Sequence, residues 1–264
     1  MGRPAASLFA IIVLYALGGT PALAETTQCP LHYASGMAPD FPRIAEAAPV
    51  REICFQGFSV LHSGATRTPI WVGEHLTREN IRAAKPLTLA DQFHVEERLP
   101  ASERSEVTDY ARSGYDRGLL APSQDMPSLA AREESFSLAN AVPLNPRLSR
   151  GLWNEVAQSI RERTEVVGEL FVVSGPIFRG ASVQRLERRV FIPTHVYKAV
   201  HDKAAHASAV FLISNSEFAL CKIVSLAEFA DFAKLDVFPG IPQAAKEKLL
   251  PLASPIGPAG PRCE

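Results

Sequence analysis

Several short segments of the chain combine apolar runs with a high content of β-forming side chains. Residues 52–62 and 69–76 are two of them, and the turn formers Ser63-Gly64-Ala65-Thr66 between them predict a hairpin. Thr77 can cap a short helix that follows. Further strands are predicted over 135–140, 170–174, 189–192, 196–200 and 209–213. The last three lie close enough along the chain to pair antiparallel.

Helical periodicity marks other segments. One predicted helix has apolar positions at fourfold spacing, which are Leu152, Val156 and Ile160, with Trp153 beside them. Ser225 and Glu228 form a capping box that predicts a helix over 226–233, and 243–249 is a weaker helical stretch. Together the elements predict an α+β class, with an antiparallel β-sheet core and helices packed on it.

Two regions show little periodicity. Residues 86–135 contain four prolines and are expected to form a long structured excursion, which is a frequent location of functional residues. From about residue 251 the chain is rich in Pro and Gly, which predicts an irregular tail. Because no linker-like stretch interrupts the middle, residues 25–264 are expected to form a single domain.

Residues 1–24 have the organisation of a secretory signal peptide. Arg3 precedes an apolar run from Leu8 to Leu17, and Ala22-Leu23-Ala24 is a small-x-small cleavage site. An uncleaved anchor is the alternative, but the run is short for a membrane span of about 20 residues. The expected location is therefore secreted or periplasmic, with no stable membrane span after the signal is removed.

All four cysteines follow the predicted signal peptide, and an even number in an exported protein favours disulfides. Three connectivities are possible. The local pairing of Cys29 with Cys54 and of Cys221 with Cys263 is expected. A zinc site is disfavoured, because no cysteine pair has the spacing of two to four residues that such sites prefer.

The formal net charge is -1, and removal of Arg3 with the signal peptide would leave about -2. This is not the strongly basic balance of a protein that binds nucleic acid mainly by charge, so any contact with a polyanion must be local. A candidate patch consists of Arg147, Arg150, Arg161, Arg163, Arg179, Arg185, Arg188 and Arg189. Glutamates among these arginines reduce the local positive charge. Such a mixed run of charges is also typical of a solvated face.

Three segments carry a specific pattern. They are 115–126 (Tyr-Asp-Arg-Gly-Leu-Leu-Ala-Pro-Ser-Gln-Asp-Met), 134–143 (Glu-Ser-Phe-Ser-Leu-Ala-Asn-Ala-Val-Pro) and 148–153 (Leu-Ser-Arg-Gly-Leu-Trp), with support from 66–71 and 172–178. In order and spacing, from about residue 50 to 240, the chain resembles the DNA/RNA non-specific endonuclease family, the ββα-metal nucleases. The resemblance implies their fold and a metal-dependent hydrolysis of phosphodiester bonds.

The same comparison of motifs reveals three replacements. The family's Asp-Arg-Gly-His motif implies a histidine general base, and Leu119 stands in its place without a lone pair to accept a proton. The family's helix-start asparagine implies one divalent ion, typically Mg²⁺, and here that position is Ser149, which is more simply interpreted as an N-cap. Ala157 replaces a glutamate that would orient metal-bound water.

Other positions of the family pattern are retained. The resemblance implies a phosphate contact for Arg117, an orienting role for Asp116 and a location beside the metal site for Asn140. Structural roles compete with these, namely an internal salt bridge for Asp116 and Arg117 and backbone hydrogen bonds for Asn140. A displaced base could come from one of seven histidines: His32, His62, His75, His94, His195, His201 and His206.

General-base catalysis typically contributes about 10²- to 10⁴-fold, so loss of both the base and the metal should leave hydrolysis near background. The leading hypothesis is a pseudo-nuclease that keeps a weak nucleic-acid or phosphate-binding cleft. One alternative is an active metal-dependent endonuclease with a displaced base. The other is a module that binds an envelope protein through the former active-site face, where Leu119 and Leu144 stand at positions that the family keeps polar.

Overall fold

The structure is a computed structural model that describes residues 27–181, 183–257 and 260–264. The predicted signal peptide lies outside the described residues. Within the described ranges, no helix combines the length and the apolar character needed to cross a membrane.

The described chain contains thirteen strands and six α-helices, joined by short 3₁₀ turns. The strands are β1 (Val50–Cys54), β2 (Ser59–Ser63), β3 (Thr68–Thr77), β4 (Asp116–Leu119), β5 (Ala141–Leu144), β6 (Glu169–Ile177), β7 (Arg185–Leu186), β8 (Val190–Phe191), β9 (His195–Asp202), β10 (Ala207–Ser214), β11 (Cys221–Val224), β12 (Ile256–Gly257) and β13 (Gly260–Pro261). The helices are α1 (Arg78–Ala84), α2 (Leu129–Ser135), α3 (Pro146–Leu148), α4 (Asn154–Val167), α5 (Leu226–Ala233) and α6 (Gln243–Glu247).

Seven strands form one antiparallel sheet in the order β1-β2-β3-β6-β9-β10-β11. Alternate side chains of each strand enter two different cores. In β6, Val172 packs with α4 on one face, whereas Val173 packs with Phe229 of α5 on the other. The α+β class with a central antiparallel sheet is therefore confirmed, and the sheet carries helices on both faces.

Three predicted strands differ from the structure. Residues 52–62 form two strands, because the chain turns where Phe55 N–H donates to Phe58 O at 2.9 Å. The strand predicted over 135–140 is wrong: Ser135 ends α2, and the Ser137 hydroxyl accepts from Ala139 N in a 3₁₀ turn before β5 begins. Residues 189–192 contribute only β8, which pairs with β7 and not with β9.

Two helix starts agree with their capping signals. The Thr77 hydroxyl accepts from Asn80 N at the start of α1, and Ser225 and Glu228 form the capping box of α5. The disulfides join Cys29 to Cys54 and Cys221 to Cys263, which is the local pairing that the sequence analysis favoured. The second bond fixes the tail to β11 at the edge of the main sheet.

Acid is expected to destabilise the fold through His62 of β2. This ring is buried, its Nε2–H donates to Glu103 O at 3.0 Å, and burial lowers the pKa of His62 to about 4. An unfolded histidine protonates near pH 6.5, so stability present above pH 6.5 should be lost as the pH falls toward 4, by about 3 kcal/mol. Urea unfolding of the natural protein and of His62→Gln between pH 7 and 4.5 checks this. Parallel pH profiles of the two proteins would contradict it.

Candidate active site

The segment that carries the family motif is a short hairpin. Strand β4 pairs antiparallel with β5, so that Gly118 faces Val142 and Leu119 faces Ala141. Leu144 packs directly over Gly118: a Cβ atom added at Gly118 would lie 2.2 Å from Leu144 Cδ1. Only glycine fits there without displacing the buried leucine.

The hairpin continues into the helix that carries the other two family positions. Asn145 caps α3, with its Oδ1 accepting from Arg147 N at 3.0 Å. Ser149 lies after the first turn with helical angles and begins a π-helical turn, Ser149–Trp153, that leads into α4. The interpretation of Ser149 as an N-cap is therefore wrong, because the helix begins earlier, at Pro146. The β4–β5–α4 unit has the ββα arrangement.

Leu119 occupies the position at which the family resemblance implies a general base. Its side chain is partly buried against a small apolar cluster that includes Leu138, Val190 and Ile192. Its carbonyl oxygen accepts from Trp153 Nε1 at 2.8 Å, which joins β4 to the helix. The backbone is thus held in place, while the side chain supplies apolar packing and no proton acceptor.

Asp116 and Arg117 point to different partners. Both carboxylate oxygens of Asp116 accept from Arg150, at 2.8 Å each, in a bidentate ion pair. The Arg117 guanidinium lies over the rings of Phe93 and Tyr110, at 5.1 and 5.6 Å, and its Nη2 donates to Val107 O at 3.3 Å. Asp116 therefore does not pair with Arg117, and within the described chain Arg117 has no carboxylate partner at ion-pair distance.

Asn140 is fully buried and its amide is saturated by backbone groups. Its Oδ1 accepts from Ala121 N at 2.9 Å, and its Nδ2 donates to the carbonyl oxygens of Ala121 and Ser135, each at 2.8 Å. These three bonds hold the chain that follows the Asp-Arg-Gly-Leu segment. In this geometry Asn140 positions the backbone and has no free donor for a ligand.

A buried ionic cluster beneath the hairpin was not foreseen from the sequence. Lys198 Nζ donates to Leu120 O at 2.6 Å and to Ser174 Oγ at 2.9 Å, and it lies 4.7 Å from the Trp153 ring centroid. Arg161 Nη1 donates to Asp125 Oδ1 at 2.8 Å. A sequence signal does exist, because Lys198 stands inside the apolar run Val196–Val200 of strand β9.

Glu74 completes this cluster. Both of its carboxylate oxygens are buried and have no hydrogen-bond partner. Burial, and then the charge of Asp125, raises the pKa of Glu74. Burial also raises the pKa of Asp125 and lowers the pKa of Lys198. The cluster joins β3, β9, α4 and the end of β4, so it sets the position of the hairpin on the sheet.

The side chains near Ser149 do not make a magnesium site. A serine hydroxyl replaces the amide oxygen, Ala157 is buried and has no carboxylate, and Arg150 occupies both oxygens of Asp116. Across the described ranges, no group of three or more His, Cys, Asp or Glu side chains could hold a metal ion.

None of the described hydrogen bonds of the seven histidines involves Leu119. His32 and His62 bond to the carbonyl oxygens of Phe55 and Glu103. The other recorded polar contacts of histidine rings are His75 with Glu169, His94 with Gln92, His195 with Thr194 and His201 with Ser208. His206 is exposed in the turn between β9 and β10. None of these contacts reaches Asp116, Arg117 or Leu119.

The predicted arginine patch divides into two groups. Five of its members form ion pairs, which are Arg147 with Glu217, Arg150 with Asp116, Arg161 with Asp125, Arg163 with Asp202 and Arg189 with Asp109. Arg179, Arg185 and Arg188 are exposed and form no ion pair within the part of the chain that the structure describes. Arg185 and Arg188 lie in or beside the β7–β8 hairpin together with Glu187, and Arg179 follows β6.

The sequence profile of the DNA/RNA non-specific endonucleases matches residues 43–244. Nuclease EXOG, mitochondrial, of Danio rerio is 32% identical over 166 residues, covering 57% of this chain and 48% of the relative. Endonuclease G, mitochondrial, of Bos taurus is 31% identical over 151 residues, covering 53% and 50%. The chain thus spans about half the length of these relatives.

A solved structure of the EndoG/EndoGI complex, which concerns the mechanism of EndoG inhibition, has the same fold. It aligns with a TM-score of 0.67 and 22% sequence identity, over 78% of this chain and 96% of that chain. The profile match covers most of the chain and includes the whole β4–β5–α4 unit. The chain therefore belongs to the DNA/RNA non-specific endonuclease family and has the ββα-metal nuclease fold.

Proposed function

We propose that this protein is an exported member of the family that binds nucleic acid through phosphate contacts but hydrolyses it at most at a background rate. The observation that supports this most strongly is the ββα unit itself. It is fully formed, yet it presents Leu119, Ser149 and Ala157 where the family uses a base, a metal ligand and a carboxylate. The retained Arg117 can hold a phosphate by charge and hydrogen bonds, but leucine, serine and alanine at the three other positions cannot deprotonate water.

The cleavage test uses the disulfide-bonded mature protein with supercoiled plasmid and with a folded RNA. Reactions contain Mg²⁺ or Mn²⁺, and a chelator serves as the control. We expect no nicking above the chelator reaction. Metal-dependent cleavage that co-purifies with the protein and disappears in Arg117→Ala would overturn the proposal.

Nucleic-acid binding is expected to depend on Arg117. Its guanidinium is free of carboxylates within the described residues and lies beside the hairpin, where it can meet a phosphate. Arg117→Ala should weaken binding of a labelled oligonucleotide by about fivefold to tenfold. Arg117→Lys should weaken binding less than Arg117→Ala, because lysine keeps the positive charge but lacks the planar guanidinium that can form two parallel hydrogen bonds. Fluorescence anisotropy in chelator measures this, with Arg82→Ala as a remote control. Equal affinities for Arg117→Ala and Arg82→Ala would contradict the role of Arg117.

No specific observation favours either alternative function, the active nuclease with a displaced general base or the envelope-binding module. The displaced-base hypothesis needs an imidazole near Arg117, and none of the described hydrogen bonds of histidine rings includes Arg117. The envelope-binding hypothesis rested on apolar side chains at the former active-site face. Leu144 is fully buried, and Leu119 is partly buried, so they expose little apolar surface.

Export is part of the proposal. Two disulfides fit an oxidising compartment, and residues 1–24 have the signal-peptide pattern. Mass spectrometry of the protein from the host that makes it should give an N-terminus at Glu25 in the periplasm or medium. An intact N-terminus in the cytoplasm would contradict export.

A further inference from the structure

We propose that a row of arginine and phenylalanine side chains beside the hairpin is a binding platform for single-stranded nucleic acid. This row, called here the Arg–Phe ledge, consists of Arg179, Arg185, Phe178, Phe191 and Phe232. The inference rests on the proposed nucleic-acid binding and adds to it a second surface and a preferred substrate form.

One half of the ledge is built on the β7–β8 hairpin. The Arg185 guanidinium lies 4.1 Å from the centroid of the Phe191 ring. Phe178 meets the same ring edge-on, with centroids 5.8 Å apart. Arg185 is exposed and both rings are partly buried, so each side chain keeps a face or an edge toward solvent.

The other half joins the end of β6 to α5. The Arg179 guanidinium lies 4.1 Å from the Phe232 ring centroid, and its Nη1 donates to Phe232 O at 3.4 Å. The His195 ring packs edge-on against Phe232 at 5.6 Å. Burial, and then the charge of Arg179, lowers the pKa of His195, so this imidazole is neutral at pH 7 and adds a further flat ring. Phe178 and Arg179 are adjacent in the chain and connect the two halves.

The arginines of the ledge are not held in ion pairs within the described residues, although the exposed Glu187 and Asp231 are next to Arg188 and Phe232 in the sequence. Arg179, Arg185 and the neighbouring Arg188 form no ion pair there, in contrast to Arg150 and Arg161. An arginine stacked on a ring is already ordered, so little conformational entropy is lost when it binds a phosphate or stacks on a base. A surface with this charge is complementary to a polyanion.

The position of the ledge supports the same occupant. Val190 and Ile192 flank Phe191 and belong to the small apolar cluster against which Leu119 packs. The strand that carries Phe191 therefore lies beside the β4–β5 hairpin, which carries Arg117. Unpaired bases can stack on guanidinium and aromatic planes, whereas paired bases in a duplex are buried in their own stack. This is why the ledge favours single strands.

The test measures fluorescence anisotropy of labelled dT20 and of a 20-base-pair duplex in chelator, at several NaCl concentrations. Arg179→Ala/Arg185→Ala should weaken dT20 binding by about tenfold, and removal of two phosphate contacts should lower the salt slope by about 1.4. Arg179→Lys/Arg185→Lys should keep that slope but still lose about threefold for dT20. The matched control, Arg43→Ala/Arg82→Ala, removes the same charge from exposed arginines elsewhere and should stay within twofold of the natural protein.

The outcomes separate this inference from the proposed function. If Arg117→Ala weakens binding but the ledge double-alanine variant does not, nucleic-acid binding stands and the ledge is excluded. If the double-lysine variant binds dT20 as the natural protein does, or if duplex binding falls as much as dT20 binding, stacking is excluded. If the natural protein binds neither probe, both proposals fail. Thermal unfolding of each variant verifies that these exposed substitutions leave the fold intact.

Discussion

The variant Leu119→His/Ser149→Asn/Ala157→Glu is expected to nick supercoiled plasmid in Mg²⁺, whereas the natural protein is not. The scaffold already fixes the backbone around position 119, since Trp153 Nε1 and Lys198 Nζ bond to the carbonyl oxygens of Leu119 and Leu120. Restoring the base alone is worth about 10²- to 10⁴-fold, and restoring the metal adds to this. We therefore expect a rate at least about 10²-fold above that of the natural protein.

The control is the double variant Ser149→Asn/Ala157→Glu, which restores the ligands without the base and should remain near background. Position 157 is only 4% exposed, so the glutamate requires some local adjustment, and thermal unfolding of both variants must be compared with the natural protein. A folded triple variant that cuts no faster than the double variant would show that the site has lost more than these three side chains. Asp116, held by Arg150, would then be the next position to vary.

The largest single effect on stability is expected at Lys198. Lys198→Met keeps the length of the side chain but removes the ammonium, which leaves Leu120 O without its donor and Glu74 and Asp125 with less positive charge nearby. Breaking a buried ion cluster from one side typically costs about 3–5 kcal/mol. Urea unfolding at pH 7 measures the loss. Lys246→Met removes an ammonium from the pair with Asp236, which is less deeply buried than Lys198, and should cost less than Lys198→Met.

A second substitution distinguishes charge from packing. Because Glu74 has no hydrogen-bond partner and a raised pKa, Lys198→Met/Glu74→Gln should recover part of the stability that Lys198→Met loses. If the double variant is less stable than the single one, the loss arises from packing around Lys198 and not from unpaired charge. If Lys198→Met costs no more than Lys246→Met, the cluster does not hold the hairpin on the sheet.

Much of the fold could be predicted because the signals were local. The Ser225–Glu228 capping box, Thr77 as a cap and the apolar spacing of Leu152, Val156 and Ile160 all act within one or two turns of chain. The errors occur where a distant contact overrides the local pattern. Residues 135–140 have the composition of a strand, but the Asn140 amide binds backbone at Ala121 and holds the segment in a turn.

The partners of the charged residues also could not be predicted from local sequence. Whether each arginine of the predicted patch is free or paired depends on carboxylates far away in sequence, such as Asp116 for Arg150, 34 residues apart. Likewise, Glu74, Asp125, Arg161 and Lys198 lie in four separate segments, and only folding brings them together. The sequence could mark Lys198 as unusual between the apolar residues of 196–200, but it could not identify its partners.

The sequence by itself determined the family and the side chain at each motif position, because a motif consists of residue identities, and no fold can give leucine or alanine a proton acceptor. Only the tertiary structure decided what the remaining side chains do. It joined Asp116 to Arg150, saturated Asn140 with backbone, buried Leu144 over Gly118 and assembled the Arg–Phe ledge. The physical reason is that hydrogen bonds, ion pairs and stacking act over a few ångströms in space, between residues that the chain separates by tens of positions.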